Sequence, residues 1–227
     1  SSNEVTNAEY KLFQAQHSSG MAGNRSLDID SHPVANVIWE DAARFVNWLS
    51  KKDGLPTFYR EENGTMVVAD PAGLGYRLPS EAEWAFAARM AGQKERARYP
   101  WVGNYPPKTK AGNFADESAR HLLPLVIEGY NDGFAASAPT ASFSANPVGI
   151  HDLGGNVAEW CHDYYSVFNG NAEKNAVDPM GPTSGAHRVV RGSSWRDASI
   201  TELRFSYRRY SREAANDIGF RIARYAE

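Results

Sequence analysis

A helix start is written out in Arg77-Leu78-Pro79-Ser80-Glu81-Ala82-Glu83-Trp84-Ala85-Phe86-Ala87-Ala88-Arg89. Ser80 followed three residues later by Glu83 is a capping box. The hydroxyl takes the N–H of the third helical residue, and the carboxylate reaches back to the N–H of the cap. Good helix formers follow, and Gly92 stops them. The spacing predicts a helix from Ser80 to about Met90.

Working outward, Glu40 to Lys51 is the best amphipathic stretch. Ala42, Phe45, Val46, Trp48 and Leu49 recur every three or four residues, and Gly54 with Pro56 closes the run. Thr6-Asn7-Ala8-Glu9 is another capping box and predicts a short helix over 7–16. Thr57-Phe58-Tyr59-Arg60 and Thr65-Met66-Val67-Val68 flank Asn63-Gly64, which reads as a β-hairpin because Asn-Gly tolerates positive φ. From Tyr99 to Gly185 the chain is dense in Gly, Pro, Asn and Asp. The end reads as strands Arg188–Trp195 and Ile218–Arg224, with Leu203–Tyr207 as a third between them. Helices first, a long irregular middle and strands last predict an α+β fold, in one domain spanning 1–227 with little regular secondary structure.

Composition narrows the function. The 227 residues carry a net charge of −3 and are 42% hydrophobic, so the chain can bury a core and does not look like a nucleic-acid binder. Arg204, Arg208, Arg209, Arg212, Arg221 and Arg224 lie among Phe205, Tyr207, Tyr210 and Phe220. At this net charge they read as stacking and carboxylate-pairing residues. No apolar run reaches the ~18–20 residues of a membrane span. The six histidines form no local ligand pattern, and His162-Asp163, adjacent on a strand, would point to opposite faces. A single cysteine, Cys161, excludes an internal disulfide and sulfur-cluster metal sites. Oxygen-rich loops are the more telling feature. Asn113-Phe114-Ala115-Asp116, Tyr130-Asn131-Asp132-Gly133-Phe134 and the stretch from His151 to Trp160 offer carboxylates, amides and free carbonyls, the donors that Ca²⁺ takes. Each is equally a set of turns closed by Asx hydrogen bonds.

The capped helix, Pro33–Leu49, Tyr99-Pro100-Trp101-Val102-Gly103, Ala138-Pro139 with Phe143, Gly149–Trp160, Val190-Arg191-Gly192-Ser193-Ser194-Trp195 and Ile218-Gly219-Phe220-Arg221 together resemble the formylglycine-generating enzyme (sulfatase-modifying factor) family. The likeness runs from about Val5 to Arg224. It implies a compact variant of the C-type lectin-like fold with structural calcium. One calcium site would use the Asn113 side chain, the Phe114 carbonyl, the Asp132 carboxylate and the Phe134 carbonyl. A second would use Asp152, the Gly155 and Val157 carbonyls and Glu159. Asp152 stands where many members carry Asn.

The departure from the family concerns its chemistry. Members that generate formylglycine use two cysteines after the Arg-Gly-Gly-Ser block, and here those positions fall at about Asp197 and Glu202. Carboxylates do not rebuild a Cu(I) site, so no copper is expected. Asp197 and Glu202 remain candidate acid–base groups for a metal-dependent oxidoreductase of different chemistry. The main expectation is instead a non-catalytic, calcium-stabilised module. It would bind a protein or small-molecule ligand through Trp195, Arg196, Asp197, Ser199, Thr201, Glu202, Tyr207 and Arg209. Relatives lacking the cysteines include bacterial kinase-attached, lipoprotein and retroelement-diversified display domains, so flanking domains are expected in the full-length chain. Calcium use points to an extracytoplasmic location, and Cys161 is expected to be a packed residue beside a calcium loop.

Overall fold

The computed structural model describes residues 1–69, 74–167 and 177–225. Its central feature is a four-stranded sheet built from β5 (Ala158–Tyr164), β6 (Arg188–Arg191), β7 (Arg208–Ser211) and β8 (Ile218–Gly219). Across the sheet the order is β7-β6-β5-β8, with β8 parallel to β5 and the other pairs antiparallel. Among the described residues three α-helices and two hairpins surround it. These are α1 (Asn7–Lys11), the β1–β2 hairpin (Met21–Ala22 and Arg25–Ser26), α2 (Trp39–Lys52), the β3–β4 hairpin (Tyr59–Glu62 and Thr65–Val68) and α3 (Glu81–Arg89).

Both capping boxes form as their sequences dictate. Ser80 accepts from the Glu83 N–H, and Glu83 accepts from the Ser80 N–H; Thr6 and Glu9 repeat the pattern. Glu83 also takes two hydrogen bonds of 2.6 Å from the buried Arg77 guanidinium, which ties the start of α3 to the preceding chain. Asn63, at φ 50°, turns the β3–β4 hairpin as predicted.

α2 lays Ala42, Phe45 and Val46 on one face of the sheet, against Trp160, Val190, Ile218 and Phe220. α3 covers the other face with Trp84 and Ala88, against Leu153, Cys161, Val189 and Phe205. Neighbouring sheet residues therefore serve opposite cores: Trp160 and Val190 one, Cys161 and Val189 the other. This is the period-two alternation of a strand.

Several expected boundaries move. α1 stops at Lys11, and the chain continues through tight turns such as Leu12 N–H to the Glu9 carbonyl. β6 ends at Arg191 because Gly192 adopts φ 79°. Residues 203–207 are turns, and the strand lies instead just past the expected segment, at Arg208–Ser211. Only Ile218–Gly219 of the last segment joins the sheet; further on, Ala223 makes an isolated bridge to Arg77. β5 takes up the last three residues of the oxygen-rich stretch, Ala158–Trp160, and continues through His162-Asp163. It is buried on both faces, so it shows no polar alternation to read.

Candidate functional site

The loops carrying the expected calcium ligands abut one another. Asn156 N–H donates to the Asn113 carbonyl at 2.8 Å, and a side chain at Gly155 would collide with the Asn113 backbone at 2.7 Å. Gly155 sits at φ 99°, Asn156 at 66° and Asp152 at 57°, so this corner is built from left-handed residues.

Among the first expected ligands, Asn113 donates from Nδ2 to the Ala136 carbonyl and to Asn156 Oδ1, while its Oδ1 is buried with no partner. The Phe114 and Phe134 carbonyls accept no hydrogen bond among the described residues. Asp132 accepts from the N–H groups of Phe114 and Phe134 at 3.0 and 2.9 Å. Burial pushes its carboxyl up to about 7, and Asp116 adds to the shift. Asp116 does the turn-building. It accepts from the Asp132, Gly133 and Ser118 N–H groups and fixes the 130–133 turn against the 3₁₀ turn Glu117–Ala119. An orphaned buried amide oxygen, two carbonyls without a donor among the described residues and a buried carboxylate are a donor set suited to a hard cation. Lys110 Nζ bonds the Asp132 carbonyl at 2.6 Å and would share the neighbourhood.

The second set fits in part. Asp152 uses Oδ2 to accept from Ala141 N–H, and its Oδ1 is buried without a partner. The Gly155 carbonyl accepts nothing among the described residues. Glu159, expected as a calcium ligand, is instead engaged by Arg221 through bonds of 2.7 and 2.6 Å and by Trp84 Nε1 at 2.8 Å. Its charge is already neutralised there, so it does not suit a cation. Val157 gives its N–H to the buried Glu4, a carboxylate no local motif announced. Among the described residues no three His, Cys, Asp or Glu side chains gather as a metal cluster, so amide and carbonyl oxygens would have to supply most ligands.

The C-terminal candidates divide into a buried and an exposed layer. Trp195 and Asp197 are buried and do not form part of an outer face. Trp195 packs with Ala22, Leu27 and Ala136. Asp197 Oδ2 accepts from Ser194 N–H at 2.7 Å and from Arg209 Nη1 at 3.3 Å, and Arg209 Nη2 also reaches Asp217 Oδ2 at 3.2 Å. Ser194 Oγ lies 3.0 Å from the Oδ2 of both aspartates. Burial raises the Asp197 carboxyl above its ordinary range, although Arg209 opposes the shift. Asp217 is the partner the sequence reading missed; it stands 20 residues further along the chain.

The remaining candidates, Arg196, Ser199, Thr201, Glu202, Tyr207 and Arg209, are exposed or half-buried, and Arg209 joins them to the network. Ser199 and Glu202 bond reciprocally at 3.3 Å, closing a small turn. Arg196 stacks over Trp195 and donates to Asn216. Two cavities stand out elsewhere. A groove of about 1020 Å³ runs past Gln93–Val102 and Phe143–Pro147, and a smaller cavity of about 340 Å³ lies beside the β3–β4 hairpin. Neither is lined by Asp197 or Glu202.

Residues 1–226 match the family model described as the sulfatase-modifying factor enzyme 1-like domain. The chain belongs to this family. Its similarity to the formylglycine-generating enzyme of Thermomonospora curvata is 33% identity over 175 residues, covering 76% of this chain and 48% of that one. The serine/threonine-protein kinase pkn1 of Chlamydia caviae is 29% identical over 196 residues, which are 85% of this chain and 24% of the kinase. The sulfatase-modifying factor-like chain thus spans about half the length of the formylglycine-generating enzyme and a quarter of the kinase. Among solved structures, Treponema denticola variable protein 1 superposes with a TM-score of 0.77 at 25% identity, over 96% of this chain and 81% of that one. Cys161, the single cysteine, is fully buried in β5 and far from a nucleophile's setting, since burial pushes its thiol well above the ordinary range.

Proposed function

We propose that this domain is a calcium-stabilised, non-catalytic module that binds a protein or small-molecule ligand through the face of Arg196, Ser199, Thr201, Glu202, Tyr207 and Arg209. One observation carries the reading. Asp197, at the position of a family thiol, is buried and held by Ser194 and Arg209, while the only thiol is buried in β5. A reacting group needs a pocket that holds its substrate, and neither of these two cavities is lined by Asp197 or Glu202. The outer layer offers cations, hydroxyls and one aromatic ring on loops braced by Asp197, Asp217 and Trp195.

The unpartnered Asn113 Oδ1 and the open Phe114 and Phe134 carbonyls support calcium at the Asn113–Asp132 set. Calcium there would tie two irregular loops and contribute folding free energy by linkage. Asp152 and the Gly155 and Val157 carbonyls would hold a second ion only with ligands other than Glu159. Calcium sites of moderate affinity fill readily outside the cytosol, so an extracytoplasmic location goes with this reading. Likeness to a protein named variable, and to a kinase with much additional chain, supports a recognition module carried within longer proteins.

The test is metal analysis of protein purified without chelator, together with mass spectrometry of a cysteine-bearing sulfatase peptide incubated with it. Calcium without iron or copper, and an unmodified peptide, are expected. Stoichiometric redox metal or a formylglycine product would overturn the proposal.

A further inference from the structure

The smaller cavity, about 340 Å³, lies between the β3–β4 hairpin, β5 and the segment Met180–Thr183. Its wall is mainly apolar and aromatic: Trp39, Phe58, Met66, Val68 and Tyr164 among others. Arg188, at the start of β6, is the only formally charged residue besides His162 among the described residues that line it. His162 accepts or donates one hydrogen bond with the Tyr59 hydroxyl at 3.0 Å, and burial holds its imidazole down to about 3, so it is neutral at physiological pH. Among the described residues the cavity wall therefore presents one positive charge and no negative one.

The state of Arg188 is unusual for a buried guanidinium. The residue is 7% exposed and forms no ion pair among the described residues. The Trp39 ring centroid lies 3.4 Å from its Cζ and the Tyr164 centroid 3.5 Å, so rings cover both of its faces. Nη1 donates to the His162 carbonyl at 2.7 Å. Nε is buried with no acceptor, and Nη2 donates to no described residue. The other buried arginines are supplied differently: Arg77, Arg191 and Arg221 each meet a glutamate at 2.6 Å. Burying a charge without a counter-ion is costly, and a guanidinium stacked on both faces can accept a partner only in its plane. A carboxylate is the acceptor that matches that edge.

We propose that this cavity binds a small monocarboxylate with an aliphatic or aromatic body, its carboxylate seated on Arg188 Nη2 and its body against Phe58, Met66 and Val68. The volume falls in the range of small-ligand pockets, about 300–1,000 Å³. A dianion or a zwitterion is disfavoured, because a second charge would meet only apolar wall. The site shares no residue with the Arg196–Arg209 face and stands independently of the role proposed for that face.

The experiment is a ¹H–¹⁵N correlation titration of the chain with octanoate and with indole-3-acetate, each compared with its primary amide. The Trp39 indole N–H, which donates to the Cys161 carbonyl at 2.8 Å, reports from the cavity wall. Both carboxylates are expected to shift that signal saturably, and the amides to bind at least about tenfold more weakly, since one good charge-assisted contact is worth about that factor. Val68→Trp fills the cavity while leaving Arg188 in place, and is expected to abolish binding of both classes in a folded protein. Arg188→Gln, if it folds, should bring carboxylate and amide to equal affinity. Equal affinities in the parent protein, or no saturable shift at millimolar ligand, would overturn the proposal. So would binding that survives Val68→Trp.

Discussion

Arg221 and Glu159 form a two-pronged ion pair beside the parallel β5–β8 contact, at 2.7 and 2.6 Å, with side chains only 6% and 1% exposed. Arg221 also holds the Ser2 and His151 carbonyls, and Glu159 receives the Trp84 indole N–H from α3. One charge pair thus joins the N-terminal segment, the 151 loop, the sheet and α3.

Breaking that pair from one side leaves a buried charge alone. Arg221→Met is expected to destabilise the fold by about 3–5 kcal/mol. The double variant Arg221→Met with Glu159→Gln should recover part of the loss. Urea denaturation of the three proteins measures this, and a single-variant loss below about 1 kcal/mol, the surface-pair range, would contradict it.

Calcium at the Asn113–Asp132 set should appear in a thermal melt. With free ion at about a hundred times its Kd, linkage adds about 2.7 kcal/mol. For a domain of this size each kcal/mol moves Tm by about 2–4 °C. EGTA should therefore lower Tm by several degrees in the parent, and Asn113→Ala should remove most of the difference. An EGTA-insensitive Tm in the parent would argue against calcium.

His162 gives the acid limb of stability. Burial, then the neighbouring Arg188 and Arg77, depress its pKa from 6.5 to about 3. Between those values the unfolded chain takes up a proton that the folded one refuses. Stability is therefore lost as pH falls from about 6.5 toward 3, and this contribution is flat above 6.5. Asp163, raised to about 6 by burial and then by Glu81, acts oppositely between 3.8 and 6, so the comparison must be made between variants. Against the parent, His162→Gln should show a shallower loss of stability over this window. Parallel curves would refute the assignment.

The Cys161 thiol should be inert while the protein is folded. Ellman's reagent is expected to find no thiol in native buffer and one per chain in denaturant, because the side chain is fully buried and its ionisation is suppressed. Rapid labelling of the native protein would return Cys161 to the list of possible nucleophiles.

Much of this was legible locally. Ser80 with Glu83 fixes α3, and Asn63-Gly64 fixes the hairpin, because caps and turns are recognised over three or four residues. The carboxylate-pairing role held for three of the six C-terminal arginines: Arg208 meets Glu81, Arg209 meets Asp197 and Asp217, and Arg221 meets Glu159. The bounds of β5 were hidden because a strand covered on both faces carries no alternation. The ion pair of Glu159 with Arg221 was hidden, since the two stand 62 residues apart and no local pattern announces a long-range pair. Asp217 escaped for the same reason. His162 and Asp163 do point apart, one to Tyr59 and the other to the Glu81 N–H at the start of α3.

The burial of β5 on both faces has a dynamic consequence. Trp160 belongs to the core under α2 and Cys161 to the core under α3, so neither core can open without disturbing their shared wall. The two should melt as one cooperative unit despite the long irregular loops. The amides of Trp160 and Cys161 should then exchange with solvent only through global opening, at the full unfolding free energy, while the loop face of Ser199 and Thr201 exchanges through cheap local fluctuations. A rigid spine carrying a locally labile rim lets the rim change its sequence without endangering the fold.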